Sequence, residues 1–160
     1  MLSCSRIAII TLALVGAASV SPSAQAQTGG APSGRLNCNI GASLGPVVTA
    51  QRPMNCRYIP RRGPMQRYSA VVRSFAIDLG TIKAASMSWR VYGPYARAPL
   101  GALEGQYGVP AGSPQAGNPL IGGPDGEVRL LALPLQGSRG VNAAVGVTSV
   151  ELKLRNASRR

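Results

Sequence analysis

Glycine and proline punctuate this chain too closely for helices of ordinary length. Twenty glycines and 13 prolines fall among 160 residues. Beyond residue 34 no stretch of about 11 residues with helical period survives them. What lies between is a series of short apolar runs, several alternating with period 2, and a strand needs only 4–8 residues of that pattern. The sequence therefore predicts an all-β domain. Its 45% apolar content exceeds what a disordered tail carries, and its length suits one domain rather than two.

The clearest strand is expected over Tyr68–Leu79. Val71, Arg73, Phe75, Ile77 and Leu79 share its larger, mostly apolar face; Ala70, Val72, Ser74, Ala76 and Asp78 share a smaller, more polar one. A second is expected over Ala85–Tyr92, with Met87, Trp89 and Val91 inward, joined to the first by a hairpin at residues 80–84. Further strands are expected at Arg35–Ile40, Val47–Tyr58, Leu103–Val109, Asn118–Ile121 and Glu127–Leu135. The last of these is apolar on both faces and ends at Pro134. The glycines at 105 and 108 suggest a bulge or close backbone approach. Val141–Leu154 reads as a long closing strand whose alternation changes phase near Thr148–Val150, the mark of a β-bulge. About seven or eight strands in some 120 residues imply a small β-sandwich or a closed β-barrel. Phe75, Ile77, Trp89, Val128, Leu130, Val145 and Leu152 are expected in its core.

The amino terminus reads as an export signal. Arg6 precedes an apolar run, Ile7–Ala18, too short to span a bilayer, and Ala24-Gln25-Ala26 is a small-x-small cleavage site. The expected organisation is a signal peptide at 1–26, a flexible leader at 27–33, one all-β domain at 34–155 and a polar tail at 156–160. The mature chain is expected in the periplasm or secreted, with no transmembrane segment. Cys4 leaves with the signal, so Cys38 and Cys56 remain, and an oxidising compartment makes them a disulfide.

Several segments carry a resemblance. They are GRLNCNI at 34–40, MNCRY at 54–58, RYSAVVRSFAIDLG at 67–80, GALEGQYG at 101–108, NPLIGG at 118–123 and LLALPLQGSRGVNAAVGVTSVELKL at 130–154. In order and spacing these are similar to exported alphaproteobacterial proteins known as the domain of unknown function 992 (DUF992) family. Its members carry a signal peptide, two cysteines at matching places and a Gly-Ala-Leu-x-Gly-x-Tyr segment, here Gly101 to Tyr107. They also carry a closing segment, here Pro134-Leu135 through Asn142, Ala144, Gly146 and Val147. The resemblance implies a fold and a compartment and no activity. The sequence departs from the pattern in its basic stretch at residues 59–67.

Chemistry is narrowed by what the chain lacks. It has no histidine, which removes Ser-His-Asp, Cys-His and zinc-hydrolase arrangements within one chain. No cofactor and no metal site is expected. Of five carboxylates, Asp78 and Glu104 are the candidates for a facing acid/base pair, the basis of an alternative reading as a carboxylate-dependent hydrolase of envelope glycans. The principal reading follows from charge. Seventeen Lys+Arg stand against five Asp+Glu, a formal +12. Arg57, Arg61, Arg62 and Arg67 flank a Pro/Gly turn with no acid nearby in sequence. Arginine pairs bidentately with phosphate and carboxylate, so these four are expected to contact anionic lipid headgroups, lipopolysaccharide or acidic glycan. Export argues against nucleic acid as a physiological partner. The expected role is non-enzymatic, structural or anion-binding, at the cell envelope.

Overall fold

The computed structural model describes residues 30–40, 45–76, 84–112, 117–134 and 141–155. The expected signal peptide, residues 27–29 of the leader, the 156–160 tail, Ile77 and Asp78 lie outside these residues. Among the described residues the strands are β1 (Gly34–Asn39), β2 (Met54–Pro60), β3 (Gln66–Phe75), β4 (Ala84–Tyr92), β5 (Gly105–Gly108), β6 (Leu120–Gly122), β7 (Val128–Ala132), β8 (Val141–Asn142) and β9 (Val147–Leu154). A one-turn helix, α1 (Gly45–Thr49), lies between β1 and β2, and a 3₁₀ turn occupies Ala143–Gly146.

Eight of these strands close on themselves. The order is β1-β2-β3-β9-β5-β6-β7-β4, and β4 returns to β1. Every pairing around the ring is antiparallel, while the two residues of β8 add to β4 in parallel. The fold is a closed eight-stranded antiparallel β-barrel, not a sandwich. Closure leaves no unpaired edge within the ring.

An eight-stranded barrel has an interior that side chains just fill, and strand alternation supplies them. Leu36 and Cys38 point in from β1; Met54, Cys56 and Tyr58 from β2; Tyr68, Ala70 and Val72 from β3; Met87, Trp89 and Val91 from β4; Tyr107, Leu120, Val128, Leu130, Val150 and Leu152 from the rest. All are at most 3% exposed. Cys38 and Cys56 are directly opposite on β1 and β2 and form the disulfide inside the barrel, 18 residues apart in sequence. A closed loop of this size is worth roughly 3 kcal/mol on the chain-entropy estimate.

Each barrel mouth is filled by a connection. The segment 93–104 runs from the end of β4 to the start of β5 and inserts Ala98, Ala102 and Leu103, all buried. Buried Gln66 straps it down: its Nε2 donates to Pro99 O at 2.7 Å, while its Oε1 accepts from Gly101 N at 3.1 Å and Tyr68 Oη at 2.6 Å. Leu103 is held twice, its N–H donating to Tyr68 Oη at 3.2 Å and its C=O accepting from Tyr107 Oη at 3.0 Å. At the opposite mouth lie Ile40, Val47 of α1 and the 3₁₀ turn with buried Ala143 and Ala144. Asn142 anchors that turn. Its Oδ1 accepts from Ser88 N and Ala144 N, and its Nδ2 donates to Ser88 O and Leu133 O.

Several sequence expectations hold. Met87, Trp89, Val91, Val128, Leu130 and Leu152 are in the core, and β7 stops before Pro134. The glycine expectation holds at Gly105, which has φ +135° and where a Cβ would press on the backbone of Gly123, but not at Gly108, where a Cβ would meet only Thr148 O at an ordinary 4.0 Å. A bulge does occur where the phase change placed it. The β3–β9 register shifts twice, between Val72 and Phe75 opposite Val147–Val150.

Others are corrected. β3 presents its smaller face inward: Tyr68, Ala70 and Val72 are buried, whereas Val71 is half-buried and Arg73 exposed. The interior already holds Trp89 and three tyrosines, so Ala70 fits where a larger residue would not. Phe75, beyond the bulge, is only half-buried and packs on Gly146. Val145 is half-buried too, because the expected closing strand breaks into β8, a 3₁₀ turn and β9. Among the described residues β3 and β4 do not pair as a hairpin; β3 pairs with β2 and β9, and β4 with β1, β7 and β8. Val47–Thr49 belongs to α1 rather than to a strand. β7 is not covered on both faces: Leu131 is exposed on the outside.

Candidate functional site

With the interior filled, chemistry is left to the outer wall and the mouths. The wall is strongly polarised. On β4-β1-β2-β3 the outward positions carry Arg90, Arg35, Arg57 and Arg67, all exposed. Register sets them against one another: Arg35 is opposite Arg90, and Arg57 is opposite Arg67. Asn37 lies between the two pairs, opposite Arg57 on one side and Ser88 on the other. Like charges directly opposite on a sheet are unfavourable, though at an exposed surface by less than about 1 kcal/mol a pair. No carboxylate among the described residues pairs with any of the four.

Arg155 joins them. Its backbone N–H donates to Arg67 O at 2.8 Å, and its guanidinium is bonded to Asn55 Oδ1. Asn37, Asn39, Asn55, Arg57, Arg67 and Arg155, together with apolar residues such as Ile40, Val47, Pro53 and Ile59, line a groove of about 980 Å³. Arginine and asparagine together offer fixed N–H donors in a concave site, the chemistry that holds phosphate or carboxylate oxygens.

Three of the four described acids, Glu151, Asp125 and Glu127, occupy the other half. Glu151 on β9 is bonded to Arg73 and lies 3.0 Å from Lys153 Nζ. The hydrogen bond from Arg73, then that from Lys153, holds its carboxyl below the ordinary value. Asp125 and Glu127 are exposed at the β6–β7 turn. Tyr95 Oη approaches Asp125 at 3.5 Å. Its pKa is raised, first by burial and then by that carboxylate.

Of the sequence candidates, Arg57 and Arg67 are brought together on adjacent strands, and Arg61 and Arg62 stand exposed in the turn that joins those strands. Arg35, Arg90 and Arg155 were missed. Arg90 carried a signal, since it falls on the polar side of its strand, but its partner Arg35 is distant in sequence. Glu104 is exposed on a tight turn, its N–H donating to Gly101 O at 2.9 Å. Asp78 lies outside the described residues, so the acid/base pair gains no geometric support.

The chain matches, over residues 17–153, the family model described as "Protein of unknown function (DUF992)". It belongs to the DUF992 family. No curated protein and no solved structure matches it. The segments that carried the likeness now have structural reasons. In Gly101 to Tyr107, Ala102 and Leu103 fill one barrel mouth, Gly105 takes its positive φ and Tyr107 holds Leu103. In the closing segment of this DUF992 member, Asn142 anchors the other mouth, Ala144 fills it and Gly146 makes room for Phe75. Both segments build the barrel, and neither contributes a side chain to the arginine face.

Proposed function

We propose that this is an exported, non-enzymatic cell-envelope protein that binds anionic groups through the outer face of β4-β1-β2-β3. The observation that carries the reading is the segregation of charge. Arg35, Arg57, Arg67 and Arg90 face out from four adjacent strands that carry no carboxylate of their own. Like-charge register is a local cost, and such costs gather at functional surfaces. The apolar interior and charged exterior are the reverse of a membrane-spanning barrel, which turns an apolar band to lipid. Among the described residues no helix is long and apolar enough to cross a membrane. Lipid phosphates, lipopolysaccharide and acidic glycans present the oxygens such a face would hold.

The face is tested by matched charge removal. Arg57→Ser with Arg67→Ser is compared with Arg52→Ser with Lys153→Ser; each pair of changes removes two positive charges. Titrated with inorganic polyphosphate at low and physiological salt, the first variant should bind about tenfold more weakly and with a shallower salt dependence. The second should stay close to the unaltered protein. Equal weakening would show that net charge alone attracts the polyanion.

Export and oxidation are read by one measurement. The intact mass of protein recovered from the periplasm is expected to correspond to a chain starting near Gln27 with no alkylatable thiol before reduction. A full-length mass would remove the export reading, and two reactive thiols would contradict the bond.

A further inference from the structure

Five large apolar side chains are exposed among the described residues, and their placement is uneven. Ile121 and Leu131, diagonal neighbours on the outer face of β6 and β7, are the least exposed at 38% and 36%. Ile59, Met65 and Leu100 are 51%, 47% and 77% exposed, and they converge at one corner of the barrel. Ile59 and Met65 lie one residue beyond the Tyr58–Gln66 pair on β2 and β3. Leu100 lies between Pro99 and Gly101, the two residues that Gln66 ties down. The 93–104 segment is also bound to the β2–β3 turn, where Ala98 N donates to Arg62 O at 3.3 Å. Exposed Arg61, Arg62 and Arg97 belong to that turn and that segment. The corner therefore holds three apolar tips and three guanidinium groups on a backbone fixed by a buried glutamine.

An apolar tip ringed by arginine matches an anionic bilayer surface, whose phosphates lie just outside an apolar boundary. A soluble polyanion would use the arginines and leave the apolar tips in water. We infer that the β2–β3 corner is a docking edge for an anionic lipid bilayer: Leu100, Met65 and Ile59 enter the headgroup–acyl boundary while Arg61, Arg62 and Arg97 hold lipid phosphates. The inference rests on the anion-binding reading above and assigns it a partner. Arg35 and Arg67 flank the corner on the outer wall and extend the contact. Glu104 is the acid nearest the corner, following Gly101 in the same turn. Asp125 and Glu127 lie across the mouth at the β6–β7 turn, on the opposite side of the ring, so the barrel would sit tilted, with that side raised from the lipid.

The test uses vesicles of phosphatidylcholine with and without phosphatidylglycerol, and inorganic polyphosphate as a soluble anion. The unaltered protein should bind the phosphatidylglycerol vesicles and not the neutral ones. Leu100→Ser with Met65→Ser should weaken vesicle binding about tenfold or more while leaving polyphosphate binding unchanged. Both side chains are exposed, so an unchanged melting temperature is expected and serves as the folding control. Leu100→Trp supplies an independent reading. The emission of the introduced indole should shift to the blue on adding anionic vesicles, against the constant signal of Trp89, which is already buried. Equal vesicle affinity for the serine variant, or no shift from the introduced indole, would overturn the docking edge. Binding to polyphosphate without binding to vesicles would overturn it and leave the anion-binding face intact. Binding to neither would remove both.

Discussion

Raising the pH from about 10 to about 12 should cost this protein roughly 5 kcal/mol of stability. Three tyrosines are buried inside the barrel with almost no exposure. Burial pushes Tyr58 and Tyr68 up to about 12 and Tyr107 further still; neighbouring phenols add less, and at Tyr68 the hydrogen bond from Leu103 N–H opposes the rise while the Glu104 carboxylate adds to it. In the unfolded chain each would ionise near 10. Below that value both states are neutral and nothing is lost. Between the two values the unfolded chain releases protons that the folded barrel keeps, so stability falls by about 1.4 kcal/mol per pH unit for each tyrosine. The three tyrosines together give roughly 5 kcal/mol over the two units, because the slope is only partial close to each of the two values. A domain with an ordinary margin of about 5–15 kcal/mol should come close to unfolding in this window. Urea titrations followed by circular dichroism at stepped pH, with tyrosinate absorbance read in parallel, would show it. Constant stability up to about pH 11.5 would mean that the phenols are hydrated.

Trp89→Ala is expected to cost about 3–5 kcal/mol, the range for emptying a buried aromatic site. Trp89 is 1% exposed and projects inward from β4, opposite Leu36 on β1 and Ala132 on β7. Both neighbouring strands belong to the closed ring, which limits how far they can collapse into the space. Its indole N–H has no acceptor among the described residues, and an unpaired buried donor costs about 1–3 kcal/mol. Trp89→Phe removes that donor along with part of the volume, so it should cost less than half as much as alanine. Chemical denaturation of the two variants measures both. A loss under about 1 kcal/mol for alanine would mean the site is not packed as described.

How much of this was legible in sequence depended on whether local pattern or distant pairing decided the outcome. β4 was legible because Met87, Trp89 and Val91 are large and their neighbours Ser86, Ser88 and Arg90 are polar. In β3 side-chain size does not follow burial. Its inward face is set by pairing with β2 and β9, and a crowded interior accepts Ala70. α1 was missed because Val47, Val48 and Thr49 are β-branched and favour strands, although Pro46 is well suited to a helix's first turn. The disulfide was legible from two cysteines and an expected compartment. Half of the arginine face was legible because Arg57 and Arg67 flank one turn. The other half needs β1 beside β4, a pairing of residues far apart in the chain. The apolar tips around Arg61 and Arg62 were hidden for the same reason: Leu100 reaches them only through the strap held by Gln66.

The place of β9 in the ring sets when the barrel can form. β9 lies between β3 and β5, and its contacts with β3 join residues some 70 to 90 positions apart. Until residues 147–154 are available, β3 has only β2 beside it, and β5 lacks one of its neighbours. A chain threaded through a narrow translocation channel must stay unfolded while it passes, and one that closed early would stall. The last strand of the ring serves here as its keystone. Under the proposed export, the chain would emerge with its ring still open, and the barrel would shut only once its final strand had followed.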